Sequence, residues 1–188
     1  MTQALLVIDV QNEYVTGGLP IVHPPVEESL ARVGEAMDAA RSAGLPVVVV
    51  RHAETDPAGG LFVRGTPAWE LHATVAGRPH DLVVDKTLPG AFTGTELGAW
   101  LAEHDVDHLV VVGYMTHMCI DTTTRQAVHR GLEVTVLADA TGTIDLADDL
   151  PSALVHRVEL GVLGDGFATV TSTRDWVDGL VPASAERA

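Results

Sequence analysis

The chain has 188 residues, 46% of them hydrophobic and 20% charged. That suits one folded domain over residues 1–188 and argues against a disordered chain or two full domains. Its net charge of −15 repels phosphate backbones, so nucleic acid is a poor partner. No apolar run approaches the roughly 20 residues of a membrane span, so no membrane is expected as partner. The opening stretch MTQALLVIDVQNEY has no basic region ahead of its apolar residues and meets an acid at Asp9. It reads as a first strand and not a signal peptide, and a cytoplasmic protein is expected. A single cysteine, Cys119, excludes an internal disulfide framework and any multi-cysteine metal site.

Strand and helix patterns alternate along the chain. Ala4 to Ile8 is a short apolar run closing on Asp9. A loop with Gly17, Gly18, Pro20, Pro24 and Pro25 follows, then an amphipathic helix from Val26 to Ala43, stopped by Gly44 and Pro46. Val47 to Val50 is pure valine, a buried strand. Arg51 to Pro79 is rich in Gly and Pro and reads as a long loop with one short helix near Trp69. Asp81 to Asp85 is a strand ending at Lys86, and Thr95 to His104 is helical. Leu109 to Val112 is a strand ending at Gly113, and Ile120 to Arg130 a helix closed by Gly131. Glu133 to Leu137 is a strand, Asp148 to Leu160 a helix closed by Gly161, and Phe167 to Val170 a last strand. The tail beyond Gly179 is expected to fray.

Continuous apolar strands between helices predict a three-layer α/β/α domain around a mostly parallel sheet of about six strands. In such sheets ligands bind at the carboxyl ends of the strands. Asp9, Lys86 and Cys119 each lie at or just past such an end.

Two of these residues stand out by composition. Cys119 is unique, and Lys86 is the only lysine beside ten arginines. Arginine is planar and holds its proton, so one retained lysine marks a place for a compact ammonium. A thiol near a helix N-terminus and an ammonium is biased towards thiolate, and a carboxylate can accept its proton. Asp9, Lys86 and Cys119 therefore form a base, cation and nucleophile set.

Four segments resemble the isochorismatase-like cysteine hydrolases: IDVQNEY at Ile8–Tyr14, Lys86 followed by Ala91–Phe92, GYMTHMCIDTTTRQA at Gly113–Ala127, and VLADATGT at Val136–Thr143. The resemblance implies a Rossmann-like α/β fold, homo-oligomers (dimer or larger), and a triad of Asp9, Lys86 and Cys119. It implies hydrolysis of a small-molecule amide, lactam or carbamoyl bond through a thioester. It also implies an oxyanion hole from the N–H groups of Met115 and Cys119, with a cis peptide between Tyr114 and Met115. Gln11, Tyr14, Phe62, Trp69, Phe92, Tyr114, His117 and Met118 are the candidates for contact with a small-molecule substrate.

Nicotinamidases of this superfamily carry an Asp–x–His…His metal site after the second strand. This chain reads Arg51-His52-Ala53-Glu54-Thr55-Asp56 there, with His72 and His80 isolated. No metal is therefore expected, and nicotinamide is a poor candidate substrate. No GxGxxG follows the first strand, so no dinucleotide and no other cofactor is expected. Two alternatives stay open: an isochorismatase-type vinyl-ether hydrolase, which needs no cysteine, and a non-catalytic binding protein on the same fold.

Overall fold

The computed structural model describes residues 2–180. Six strands build one sheet: β1 (Gln3–Ile8), β2 (Val47–His52), β3 (Leu82–Lys86), β4 (His108–Tyr114), β5 (Glu133–Gly142) and β6 (Thr169–Thr171). Their order is β3-β2-β1-β4-β5-β6, and every pairing is parallel. Leu5, Leu6, Val7 and Ile8 in central β1, and Val47 to Val50 in β2, are fully buried. Such strands need a cover on both faces, which explains their unbroken apolar character.

The cover is helical. On one face α1 (Val26–Ser42), α2 (Ala73–Ala76) and α6 (Thr173–Gly179) bury Leu30, Val33, Met37, Val75 and Trp176 against Leu5, Val7, Val49 and Val110. On the other, α3 (Leu97–Glu103), α4 (Asp121–Val128) and α5 (Ser152–Gly166) bury Leu97, Leu101, Ala127 and Leu163 against Leu6, Ile8, Val50 and Val111. Among the described residues no helix is long and apolar enough to cross a membrane.

The strand order reverses between β1 and β4, and in doubly wound sheets that reversal opens a crevice at the carboxyl edge. Gly113 lets the two strands close there. Its φ is 113°, and a Cβ on it would sit 2.0 Å from the Ile8 carbonyl oxygen. Only a residue without a side chain fits that approach.

Three expectations need correction. Helix α5 starts at Ser152, not Asp148, and runs through Gly161 to Gly166. Pro151 is its N-cap, and Asp145 accepts the Ser152 N–H at 2.6 Å. Burial of Leu163 against the sheet outweighs the roughly 1 kcal/mol that a helical glycine costs. Strand β5 extends five residues past Leu137, to Gly142, because it pairs again with β4 beyond an irregularity between Val111 and Gly113. Helix α6 lies beyond the expected elements, and Ser172 caps it by accepting the Asp175 N–H at 3.0 Å. Beyond Leu180, the expected fraying tail lies outside the described residues.

Candidate active site

Asp9 directly follows β1 with a φ of 55°. That left-handed conformation is uncommon for side-chain-bearing residues, and aspartate is among those that tolerate it. Lys86 is the last residue of β3 and Cys119 follows β4. The three converge. Lys86 Nζ lies 2.7 Å from Asp9 Oδ2 and 3.2 Å from Cys119 Sγ. Asp9 is fully buried, Lys86 1% exposed and Cys119 5% exposed. The Lys86–Asp9 contact is an ion pair without good hydrogen-bond geometry, and both carboxylate oxygens lack a hydrogen-bond partner among the described residues.

Burial pushes the Cys119 thiol up, the Asp9 charge pushes the same way, and the Lys86 ammonium only partly opposes them. This differs from the expected bias to thiolate. A thiolate here would lose its hydration and face a carboxylate, and one ammonium shared with that carboxylate does not compensate. Burial alone would lower the Lys86 ammonium, but Asp9 and then Cys119 outweigh it and hold it raised. The resting site thus has a charged lysine and a protonated thiol.

The turn that carries Cys119 is unusual. The Tyr114–Met115 peptide is cis, and Thr116 to Ile120 form one π-helical turn leading into α4. The Met115 carbonyl accepts the N–H groups of Met118 and Ile120, at 3.0 and 3.2 Å. Behind the turn stands His156 of α5. Its Nε2 lies 3.2 Å from the Ala138 carbonyl, which can only accept, so Nε2 carries the proton. Its Nδ1 then accepts from the Thr116 hydroxyl at 2.9 Å. Burial, with the charge of His23 adding to it, drives the His156 imidazole down to about 4. The ring is a neutral strut between β5 and the Cys119 turn.

The sequence candidates divide. Tyr14 and Phe62 lie near Lys86 by way of His52: Tyr14 packs on Phe62 with ring centroids 5.0 Å apart, and Phe62 packs on His52 at 5.2 Å. The Tyr14 phenol is raised by burial first, and its closeness to Cys119 and Asp9 raises it further. His117 and Met118 sit on the turn of Cys119. His117 Nδ1 bonds the Thr143 hydroxyl, and Met118 is 41% exposed.

The other four are placed differently from the expectation of substrate contact. Gln11 spends its amide on the backbone, donating to His52 and Trp69 carbonyls and accepting the His52 N–H at 2.8 Å. Trp69 packs under the Arg51 guanidinium, 4.1 Å from its ring centroid. The Tyr114 hydroxyl bonds Ser29 of α1 at 2.7 Å, and its ring is fully buried behind Tyr14. The Phe92 ring lies against Gly98 of α3 and under Arg130, just past the end of α4.

His52 touches Lys86 and His156 the turn of Cys119, and sequence reasoning places neither of them there. His52 pairs with Lys86 in the β2–β3 register, and its Nδ1 is 3.4 Å from Lys86 Nζ. That strand-end position is a usable signal in the sequence, beside the metal-ligand pattern of the loop. Burial and then Lys86 lower its imidazole, so it stands neutral beside the ammonium. The remaining metal candidates serve their own loops. His72 and Asp56 accept the N–H groups of Thr74 and Ala58, Glu54 accepts that of Thr55, and His80 bonds the Arg78 carbonyl. Among the described residues no three His, Cys, Asp or Glu gather as metal ligands.

Residues 3–175 match the model of the isochorismatase domain. The chain belongs to the isochorismatase family. A crystal structure of a family protein from Burkholderia xenovorans superposes with a TM-score of 0.89, at 48% identity, covering 95% of this chain and 86% of that one. A streptothricin hydrolase of Streptomyces noursei is 37% identical over 87% of this chain, which spans 60% of that protein's length. Nicotinamidase 3 of Arabidopsis thaliana is 31% identical over 88% of this chain and 82% of its own. Together with the family match, these relatives identify the chain as a hydrolase.

Proposed function

We propose that the chain hydrolyses a carbon–nitrogen bond of a small amide, lactam or carbamoyl compound, through a thioester on Cys119. One observation carries the reading: a buried ammonium touches both a buried carboxylate and the only thiol, at the reversal of a parallel sheet. The hydrolase and nicotinamidase names of the relatives support it.

Asp9 is the base of the first step. It takes the Cys119 proton as sulfur attacks the carbonyl carbon, so the raised thiol loses its proton only when a substrate is in place. The carbonyl oxygen becomes an oxyanion, stabilised by the Met115 and Cys119 N–H groups. Asp9 then delivers its proton to the nitrogen, the carbon–nitrogen bond breaks, and ammonia or an amine departs. Water attacks the thioester next. Asp9 accepts one of its protons, the acid is released, and the proton returns to Cys119. Lys86 keeps its charge throughout and holds Asp9 in line. A lone free thiol also suits a reducing compartment, the cytoplasm in this reading.

A panel of small amides, lactams and carbamoyl compounds assayed for ammonia or amine release tests the proposal. Cys119→Ala and prior treatment with iodoacetamide are each expected to abolish release. Activity that survives both rules out the thioester.

A further inference from the structure

We infer that Glu13 is a positioning residue whose buried carboxylate clasps two separate loops and thereby sets the Phe62 wall of the thiol site. The inference deepens the proposed hydrolase site and rests on Cys119 being its centre.

Glu13 is 3% exposed, in the short 3₁₀ turn Asn12–Tyr14 that follows Asp9. A carboxylate is costly to bury without hydrogen bonds, so its partners are informative. They are two backbone donors from different parts of the chain. Oε1 accepts the Gly18 N–H, and Oε2 accepts the Phe62 N–H at 3.2 Å. The segments meet only because glycines leave room. A Cβ on Gly17 would lie 2.5 Å from Glu13 Cα, and one on Gly18 would lie 2.7 Å from Leu61 Cδ2.

The clasp acts on a residue in an unfavourable conformation. Phe62 has a φ of 49°, where a bulky side chain is an outlier unless its surroundings hold it. Glu13 holds its N–H, and its carbonyl accepts the Glu54 N–H at 3.1 Å. So fixed, the Phe62 ring fills the space between Tyr14 and His52. His52 in turn touches Lys86, which touches Cys119. The unused carboxylate thus reaches the nucleophile through three side chains and decides what can lie against it.

Glu13→Gln is nearly isosteric but turns an NH2 group towards one of the two N–H donors, releasing one loop. Amide hydrogen exchange is the first readout. Exchange at Phe62 or Gly18 is expected to accelerate roughly tenfold, while Leu5 to Val7 in β1 do not change. The second readout is the ratio of Cys119 labelling rates by iodoacetamide and N-phenyliodoacetamide. Phe62→Ala is expected to shift that ratio about fivefold or more, Glu13→Gln to shift it in the same direction, and the double variant to add nothing. Should Glu13→Gln not fold, Glu13→Asp, too short for both donors, takes its place in each measurement. Unchanged exchange at both amides, an unchanged ratio in either variant, or additive shifts overturn the clasp. If neither reagent labels the unaltered thiol, the hydrolase reading falls instead, and the exchange rates alone decide the clasp.

Discussion

Replacing Lys86 by Met keeps the length and apolar stem of the side chain and removes its charge. Asp9 is then a fully buried carboxylate with neither oxygen hydrogen-bonded among the described residues. Both members of the pair have side chains of 0% exposure, so water does not replace the lost ammonium. Removing one partner of a buried pair typically costs about 3–5 kcal/mol. Since domains of this size are stable by about 5–15 kcal/mol, Lys86→Met should be strongly destabilised in urea at pH 7. Asp9→Asn in the same chain removes the stranded charge. Asparagine also tolerates the left-handed backbone of position 9. The double variant should therefore recover at least about 2 kcal/mol relative to Lys86→Met. On the proposed mechanism amide hydrolysis should not recover, because the base and the cation it assigns are both gone. A loss below about 1 kcal/mol in Lys86→Met, or a double variant no more stable than the single, refutes the claim that this ammonium compensates a buried charge.

Two further outcomes concern pH. The Cys119 thiol is pushed up by burial and then by Asp9, so its alkylation rate should still climb past pH 9, beyond the ordinary thiol value near 8.5; a plateau by pH 8 contradicts the protonated resting state. The His156 imidazole sits at about 4 in the fold against an ordinary 6.5. Below pH 6.5 the unfolded chain takes up a proton that the fold refuses, so stability falls between pH 6.5 and 4, by at most about 3 kcal/mol. Urea titrations at pH 7 and pH 5 should show a smaller drop for His156→Gln than for the unaltered chain, and equal drops would remove the neutral strut.

The layered fold was legible because its strands are uninterrupted apolar runs, such as Val47 to Val50, each closed by a turn signal. The convergence of Asp9, Lys86 and Cys119 followed from the same reading, since parallel strands bring their carboxyl ends to one edge whatever the loops do. Side-chain direction within the loops was not legible. Gln11 and Tyr114 flank the site in sequence, yet one is consumed by the His52 backbone and the other by Ser29. Phe92 follows the Lys86 strand, but its ring turns to Gly98 of α3 and to Arg130. Those choices are made by partners 34 to 85 residues away in the chain, as the bonds of Phe92 to Gln126 and Tyr114 to Ser29 show. His156 escaped notice for the same reason: it is separated by 40 residues from the threonine it supports.

Placing the only lysine at the bottom of the site has a consequence for labelling chemistry. All other side-chain cations are arginines, which do not form amides with activated esters, so the exterior offers such reagents no side-chain amine. Lys86 is 1% exposed and ion-paired. The pace at which this side chain becomes acylated, counted apart from the N-terminal α-amine, is therefore a gauge of how often the crevice opens, read without a probe having to be installed.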